Sequence, residues 1–401
     1  MIAALVLFAA TYVVLAIGRF PGLRVDRTGA TIIGAAGMVA CGALTLGEAM
    51  RAVDMQTIVL LFGMMIVVAN LRVSGFFGLV SAWVVRHTHG PMALLAAIVA
   101  VAGVFSAFFV NDTMCLVLTP LVLEITRALK LRPTPYLLAV AMASNAGSVA
   151  TITGNPQNML IGSLSEISYR EFAWALAPVG AVSLVITFAV IAWLYRVELR
   201  SVRRVDVVEL RTRVLRPMVW KSAIVSAGMV AGFFYGWPVS QVAIVAGALL
   251  MLTRRVKPER IYREIDFPLL VLFAGLFVVV AGVEKTSLEQ DLLRAASGLR
   301  LDNVGILSGL SAVLSNLVSN VPAVLVFRPV VHHLANPKLG WLTLAMSSTL
   351  AGNLTILGSV ANLIVVERAR RDVVIGFWEY LRAGVPVTLL SLAAGIAWLM
   401  W

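Results

Sequence analysis

Apolar stretches of about 20 residues recur along the whole chain, near 1–18, 29–47, 56–74, 135–165, 172–195, 217–236, 239–253, 267–283, 341–366 and 375–400. A helix rising about 1.5 Å per residue crosses a hydrocarbon layer of roughly 30 Å at that length. No hydrophilic stretch is long enough for a soluble domain, and a barrel would show short alternating segments instead. The pattern predicts an all-α polytopic membrane protein. Two further apolar segments, 91–129 and 304–334, are too long for one crossing. Arg86 and Arg127 flank the first, so it is expected to turn back as a re-entrant hairpin with its tip at Asn111-Asp112. By the same logic 304–334 turns within "VSNVP", Val318 to Pro322.

Composition agrees: 60% of residues are hydrophobic and 13% charged, with a mean hydropathy of +0.94, which excludes an ordinary soluble domain. The net charge of +12 reads as topology rather than nucleic-acid binding. With the amino terminus outside, most of the 32 basic residues fall in alternate, cytoplasmic connections, among them Arg24, Arg27, Arg72, Arg86, Arg127, Lys130, Arg132, Arg368, Arg370 and Arg371. Both termini are then expected on the outer side of the cell's inner membrane. The Arg-rich linker 197–216 reads as positive-inside topology in contact with anionic lipids; docking of a partner ATPase there is the other reading. The run Met1 to Gly18 lacks a basic n-region and a cleavage site and reads as a retained span. Cys41 and Cys115 sit in apolar runs as small filler, and the four histidines show no metal-ligand spacing.

The two long segments match each other. In "FSAFFVNDTMCLVLTP" and "LSNLVSNVPAVLVFRP", Ser106, Asn111 and Pro120 fall on Ser315, Asn320 and Pro329 at a constant offset of 209. Downstream, "AMASNAGSVATITGNPQNMLI" and "AMSSTLAGNLTILGSVANLIV" agree at offset 204, including Ser144/Ser348, Thr151/Thr355, Gly154/Gly358 and Asn158/Asn362. Upstream, Asp54 pairs with Asp266 and Phe62 with Phe273. The chain therefore reads as two repeats, 1–196 and 217–401. Each has five transmembrane helices plus one hairpin, and the odd number of crossings inverts the second. Inverted repeats built around interrupted helices are a secondary-transporter design.

Gly154-Asn155-Pro156 is expected to break the span 135–165, and "AGNLTILGS", Ala351 to Ser359, the span 341–366. Backbone freed at membrane depth is tolerated where it lines a cavity or binds something. That makes Asn111, Asp112 and Thr113, Gly154, Asn155 and Asn158, Ser315, Ser319 and Asn320, and Asn353, Thr355, Gly358 and Ser359 candidate substrate and ion ligands. Ser106 and Asn111, like Ser315 and Asn320, are spaced to hold a Na⁺ ion; satisfaction of the turn's own backbone is the structural alternative. Asp112 reads as a proton carrier or as a tip-stabilising acceptor. Arg328 reads as an anion attractor in the outer vestibule or as the partner of a neighbouring helix. Asp54 and Asp266 read as helix N-caps.

"FFVNDTMCLVLTP", "LVSNVPAVLV" and "AGNLTILGSVANLIV" resemble the ion transporter superfamily, and within it the arsenite permease branch, over nearly the whole chain. The resemblance implies an elevator-type carrier, usually a homodimer, with a transport domain of hairpins and broken helices. It also implies cation sites at Ser106, Asn111 and the Gly154 region, and at Ser315, Ser319, Asn320 and the Gly358 region. Where sodium–dicarboxylate relatives have Ser-Asn-Thr, this chain has Val110-Asn111-Asp112 and Ser319-Asn320-Val321, so hydroxyls that would hold carboxylates are absent. The expectation is transport of a small inorganic anion or oxyacid, arsenite-like, coupled to H⁺ or Na⁺ and with no other cofactor. A sodium/proton antiporter and a sodium-coupled carboxylate symporter are the alternatives. An intramembrane enzyme is not expected, because no catalytic dyad or metal motif lies at depth.

Overall fold

A computed structural model describes residues 2–18, 24–88, 90–200, 214–286 and 298–401. The chain is all helical there. The first half runs α1 (Ile2–Ile17), α2 (Arg27–Ala40), α3 (Leu46–Ala52), α4 (Met55–Ser74), α5 (Phe76–His87), α6 (Pro91–Phe108), α7 (Asn111–Ala128), α8 (Thr134–Ser148), α9 (Pro156–Leu164) and α10 (Tyr169–Leu194). After the short α11 (Arg196–Leu199), the second half runs α12 (Arg216–Tyr235), α13 (Val239–Met251), α14 (Pro258–Tyr262), α15 (Phe267–Glu284), α16 (Val304–Val318), α17 (Asn320–His332), α18 (Pro337–Ala351), α19 (Val360–Ala369) and α20 (Phe377–Met400). Most of the Arg-rich linker lies outside the described residues. Among the described helices, six are long and apolar enough to cross a membrane: α4, α6, α10, α12, α15 and α20.

The helices begin where the sequence supplies caps. Asp54 accepts from Gln56 N at 3.0 Å and Asp266 from Leu269 N at 3.1 Å, so both act as the N-caps their positions predict. Thr45 and Ser168 form capping boxes with Glu48 and Glu171. Outside the spans, the Glu48 carboxyl is held down at about 2 by Lys285 and by its bonds to Thr45.

Packing is reciprocal between the halves. α4 packs on α13, and α15 packs on α2. Each seam closes on a glycine: a Cβ on Gly63 would lie 2.6 Å from the Ala243 backbone, and one on Gly275 would lie 2.9 Å from that of Thr31. Small residues let backbones approach where apolar burial alone does not hold membrane helices together. This contact aligns Gly63 with Gly275 and so sets Phe62 opposite Ala274, one residue from the pairing with Phe273 read in the sequence. The second arms and half-helices also cross over: α7 packs on α19, and α9 on α17. Helices α6 and α8, and α16 and α18, pair within their own halves.

Both long segments form the expected helical pairs; the first turn sits earlier than Asn111-Asp112, whereas the second falls within Val318 to Pro322 as expected. The first is at Phe109–Val110, with Val110 at φ 28, and Asn111 already opens α7. The second is at Ser319, φ 79. These two left-handed residues are 209 positions apart, so one non-glycine residue is strained at each tip. The first break also starts earlier, whereas the second covers the stretch expected for it. α8 ends at Ser148, a 3₁₀ turn covers Ile152–Gly154, and α9 starts at Pro156. In the second half α18 ends at Ala351, the 3₁₀ turn covers Ile356–Gly358, and α19 starts at Val360.

Candidate functional site

The two tips meet. A cavity of about 90 Å³ is lined by Asn111 and Asp112 from the first tip, and by Ser319, Asn320, Val321 and Pro322 from the second. Pro156, Gln157, Ser359 and Val360 come from the starts of α9 and α19. Leu15, Arg27, Leu269, Leu272 and Phe273 complete the wall from α1, α2 and α15. Tyr12 of α1 donates its hydroxyl to Pro322 O at 3.2 Å, tying this wall to the second tip. Asp112 shares this cavity with Ser359 and Val360, which open α19.

Behind the cavity lies a fully buried network of amides. Asn145 of α8 is its hub. Its Nδ2 donates to Asn353 Oδ1 at 2.9 Å and Asn362 Oδ1 at 3.1 Å, and its Oδ1 accepts from Asn111 Nδ2 at 2.9 Å and Ser359 Oγ at 3.1 Å. Thr349 of α18, 204 positions on, does the corresponding work for the other half. It accepts from Asn155 Nδ2 and Gln157 Nε2, both at 3.1 Å, and its Oγ1 faces Asn158 Oδ1 at 3.5 Å. Asn158 and Asn362 clamp the breaks: Asn158 Nδ2 donates to Ser148 O and Thr151 O, and Asn362 Nδ2 to Gly352 O and Thr355 O. The breaks are thus satisfied by side chains rather than by solvent, as buried backbone requires.

The candidate residues therefore separate. Asn111, Asp112, Ser319, Asn320 and Ser359 face the cavity. Ser106, Gly154, Asn155, Asn158, Ser315, Asn353, Thr355 and Gly358 are not among its lining residues. Gly154 is not needed for an unusual φ; a Cβ there would lie 2.1 Å from Ser148 O, so the close approach of the two chain ends demands glycine. Thr113 is not on the wall. Neither is Arg328, whose Nη1 lies 3.5 Å from Glu284 Oε1, which realises the pairing with a neighbouring helix. Sequence reasoning missed Arg27, counted as a topology residue, and Gln157. It also missed Asn145 and Thr349, whose equivalence is hidden because one is an amide and the other a hydroxyl. Among the described residues no group of His, Cys, Asp and Glu could hold a metal ion.

Paired hairpins and interrupted helices around one small cavity define a multi-pass membrane transporter. The chain belongs to the citrate transporter family (CitMHS), whose model matches residues 12–351, within the ion transporter superfamily that the tip and break motifs resemble. It is 31% identical over 420 residues to the uncharacterized transporter Rv2685 of Mycobacterium tuberculosis, covering 99% of this chain and 98% of that one. It is 30% identical to the silicon efflux transporter LSI3 of Oryza sativa subsp. japonica (94% and 93% covered). It is 25% identical to the putative transporter arsB of Dictyostelium discoideum (93% and 87%). Its fold resembles that of MtrF, from a class of antimetabolite efflux pumps in Neisseria gonorrhoeae, with a TM-score of 0.64 at 14% identity over 99% and 94% of the two chains. The protein is a transporter and not an enzyme.

Proposed function

We propose that this protein is an ion-coupled secondary carrier of a small inorganic anion or oxyacid, built from two inverted repeats with re-entrant hairpins. The observation that carries the reading is the single cavity shared by both tips and by the starts of α9 and α19. Its wall is largely apolar and sets into it five neutral hydrogen-bonding side chains, Asn111, Gln157, Ser319, Asn320 and Ser359. Such a wall suits a polyhydroxy acid such as arsenous or silicic acid, which donates and accepts in equal measure. The names of the rice and Dictyostelium relatives point the same way. Arg27, rather than Arg328, supplies the positive charge for an anionic form.

Helices α5–α10 and α16–α20 move as the transport body against α1, α2, α4, α12, α13 and α15, in an elevator-type exchange of access. The carrier works as a homodimer in the inner membrane with both termini outside. Asp112 is the proton carrier if coupling is to H⁺; oxygen atoms of the tip residues hold the ion if coupling is to Na⁺. A sodium/proton antiporter is the weaker reading, because Asp112 is the one carboxylate among the residues lining the cavity.

The test is uptake and efflux of arsenite, silicic acid, phosphate, sulfate and citrate in proteoliposomes, with pH and Na⁺ gradients imposed separately. One oxyacid or anion should move under one gradient. Movement of none under either gradient overturns the reading. Asp112→Asn should abolish pH-driven flux while leaving solute binding intact, and unchanged pH-driven flux removes Asp112 as the proton carrier.

A further inference from the structure

A second cavity, of about 580 Å³, shares no lining residue with the one between the tips. It lies where α4 ends and α12 begins, beside α14, which packs on α4. Its apolar part is Val73 from the last turn of α4, Leu215 at the N-cap of α12, and Val256 from the connection before α14. These three rest on a small core that includes Met65, Met218 and Ile261. The remainder of the wall is ionic: Arg255, Lys257, Arg260 and Arg263, with one carboxylate, Glu259.

Like charges brought together repel, and a carboxylate beside each would relieve them. None does so here. Among the described residues, none of the four cations is in an ion pair. Glu264, next in the chain to Arg263, is taken by Arg72 of α4. Topology alone accounts for basic residues in this connection, but it does not require them to converge on one cavity. Arg254 marks the difference: it carries the same charge in the same connection, is exposed, and is not in the wall.

The location narrows the ligand. α4 and α12 are both long and apolar enough to cross a membrane, so a cavity at their adjoining ends opens at the membrane surface. Trp220 of α12 and Tyr262 of α14 are exposed nearby in the chain, as aromatic side chains are at head-group depth. Guanidinium groups suit phosphate oxygens. A free phosphate would use the cationic rim and leave the apolar floor empty, whereas a phospholipid uses both. Basic pockets between membrane helices hold phospholipid head groups in this way.

We propose that this cavity is a binding site for the head group of an anionic phospholipid. Arg255, Lys257, Arg260 and Arg263 hold its phosphate, and Val73, Leu215 and Val256 receive the glycerol end of its chains. Leu215 N donates to Ser74 O at 3.0 Å, and Gly75, at φ 87, then turns the chain into α5. A lipid seated on Val73 and Leu215 therefore braces the corner from which α5 departs. The site is independent of the solute carried.

The test is the thermal midpoint of the purified full-length protein in neutral detergent, titrated with dioleoylphosphatidylglycerol, with dioleoylphosphatidylcholine, or with inorganic phosphate. A ligand of the folded state raises the midpoint along a saturating curve, and phosphatidylglycerol alone should do so. Arg255→Gln and Arg260→Gln should each weaken half-saturation roughly fivefold, while Arg254→Gln leaves it unchanged. Glu259→Gln removes the one carboxylate of the wall and should tighten binding. Equal losses at Arg254 and Arg255 would mean a general surface field and overturn the site, as would no response to phosphatidylglycerol. An equal rise with phosphatidylcholine overturns the role of the cations. A rise with inorganic phosphate that the Arg255 and Arg260 substitutions weaken gives the cavity to a soluble anion and overturns the lipid assignment.

Discussion

Asn158 and Asn362 show how a single side chain can hold a helix open inside a membrane. Each gives two hydrogen atoms to two carbonyls, at 3.0 and 3.0 Å in the first break and 2.7 and 3.0 Å in the second. Asn158→Ala or Asn362→Ala should therefore cost about 1–3 kcal/mol each, read as a lowered thermal midpoint in detergent. Asp should rescue neither, because it offers no donor; rescue by Asp would show that the carbonyls are satisfied otherwise. Polar residues in apolar runs made the tips and this pair legible in the sequence, since each is expensive where it stands. What they touch was not legible. Asn158 reads as a solute ligand and proves to be a clamp, while Arg27 reads as a topology signal and faces the cavity. Sequence spacing records depth and face, but it does not record which of two helices from opposite halves will cross a given turn.

At the scale of the element, the two breaks separate cause from correlate. The sequence attributes the first break to Gly154-Asn155-Pro156, and the second half lacks the proline altogether. Yet both breaks have the same parts: a helix end, a 3₁₀ turn, an extended capping residue and a new helix. Asn155 caps α9 through Asn158 N at 2.8 Å, and Ser359 caps α19 through Ala361 N at 3.2 Å. Pro156 occupies the first helical position, where its missing N–H costs nothing. Pro156→Ala should accordingly change stability by less than about 1 kcal/mol and leave transport intact. A large loss in either would return the break to the proline. Gly154→Ala should do the opposite and prevent accumulation of folded protein, because Ser148 O leaves no room for a Cβ. Helix α5 was missed for a related reason: its moderately apolar sequence, Phe76 to His87, is too short for a crossing and reads as a connection.

The whole molecule is held together by exchange between its halves rather than by contact of two finished domains. α2 needs α15, α4 needs α13, α7 needs α19, and α9 needs α17. At the centre, Asn145 bonds Asn353, Asn362 and Ser359, while Asn155 and Gln157 bond Thr349. Either half alone would expose glycine-lined seams to lipid and leave these amides buried without partners. Removing one partner of a buried pair costs the full desolvation of the other, so the deficit falls on every cross-half bond at once. A chain divided within 201–213 should show it. Residues 1–200 or 214–401 expressed alone should fail to give a monodisperse protein, whereas the two together should co-purify and restore solute flux. A first half that is folded and stable by itself would mean that the halves are independent units that merely dock. The cavity, which takes wall residues from both, would then be a consequence of docking and not of folding.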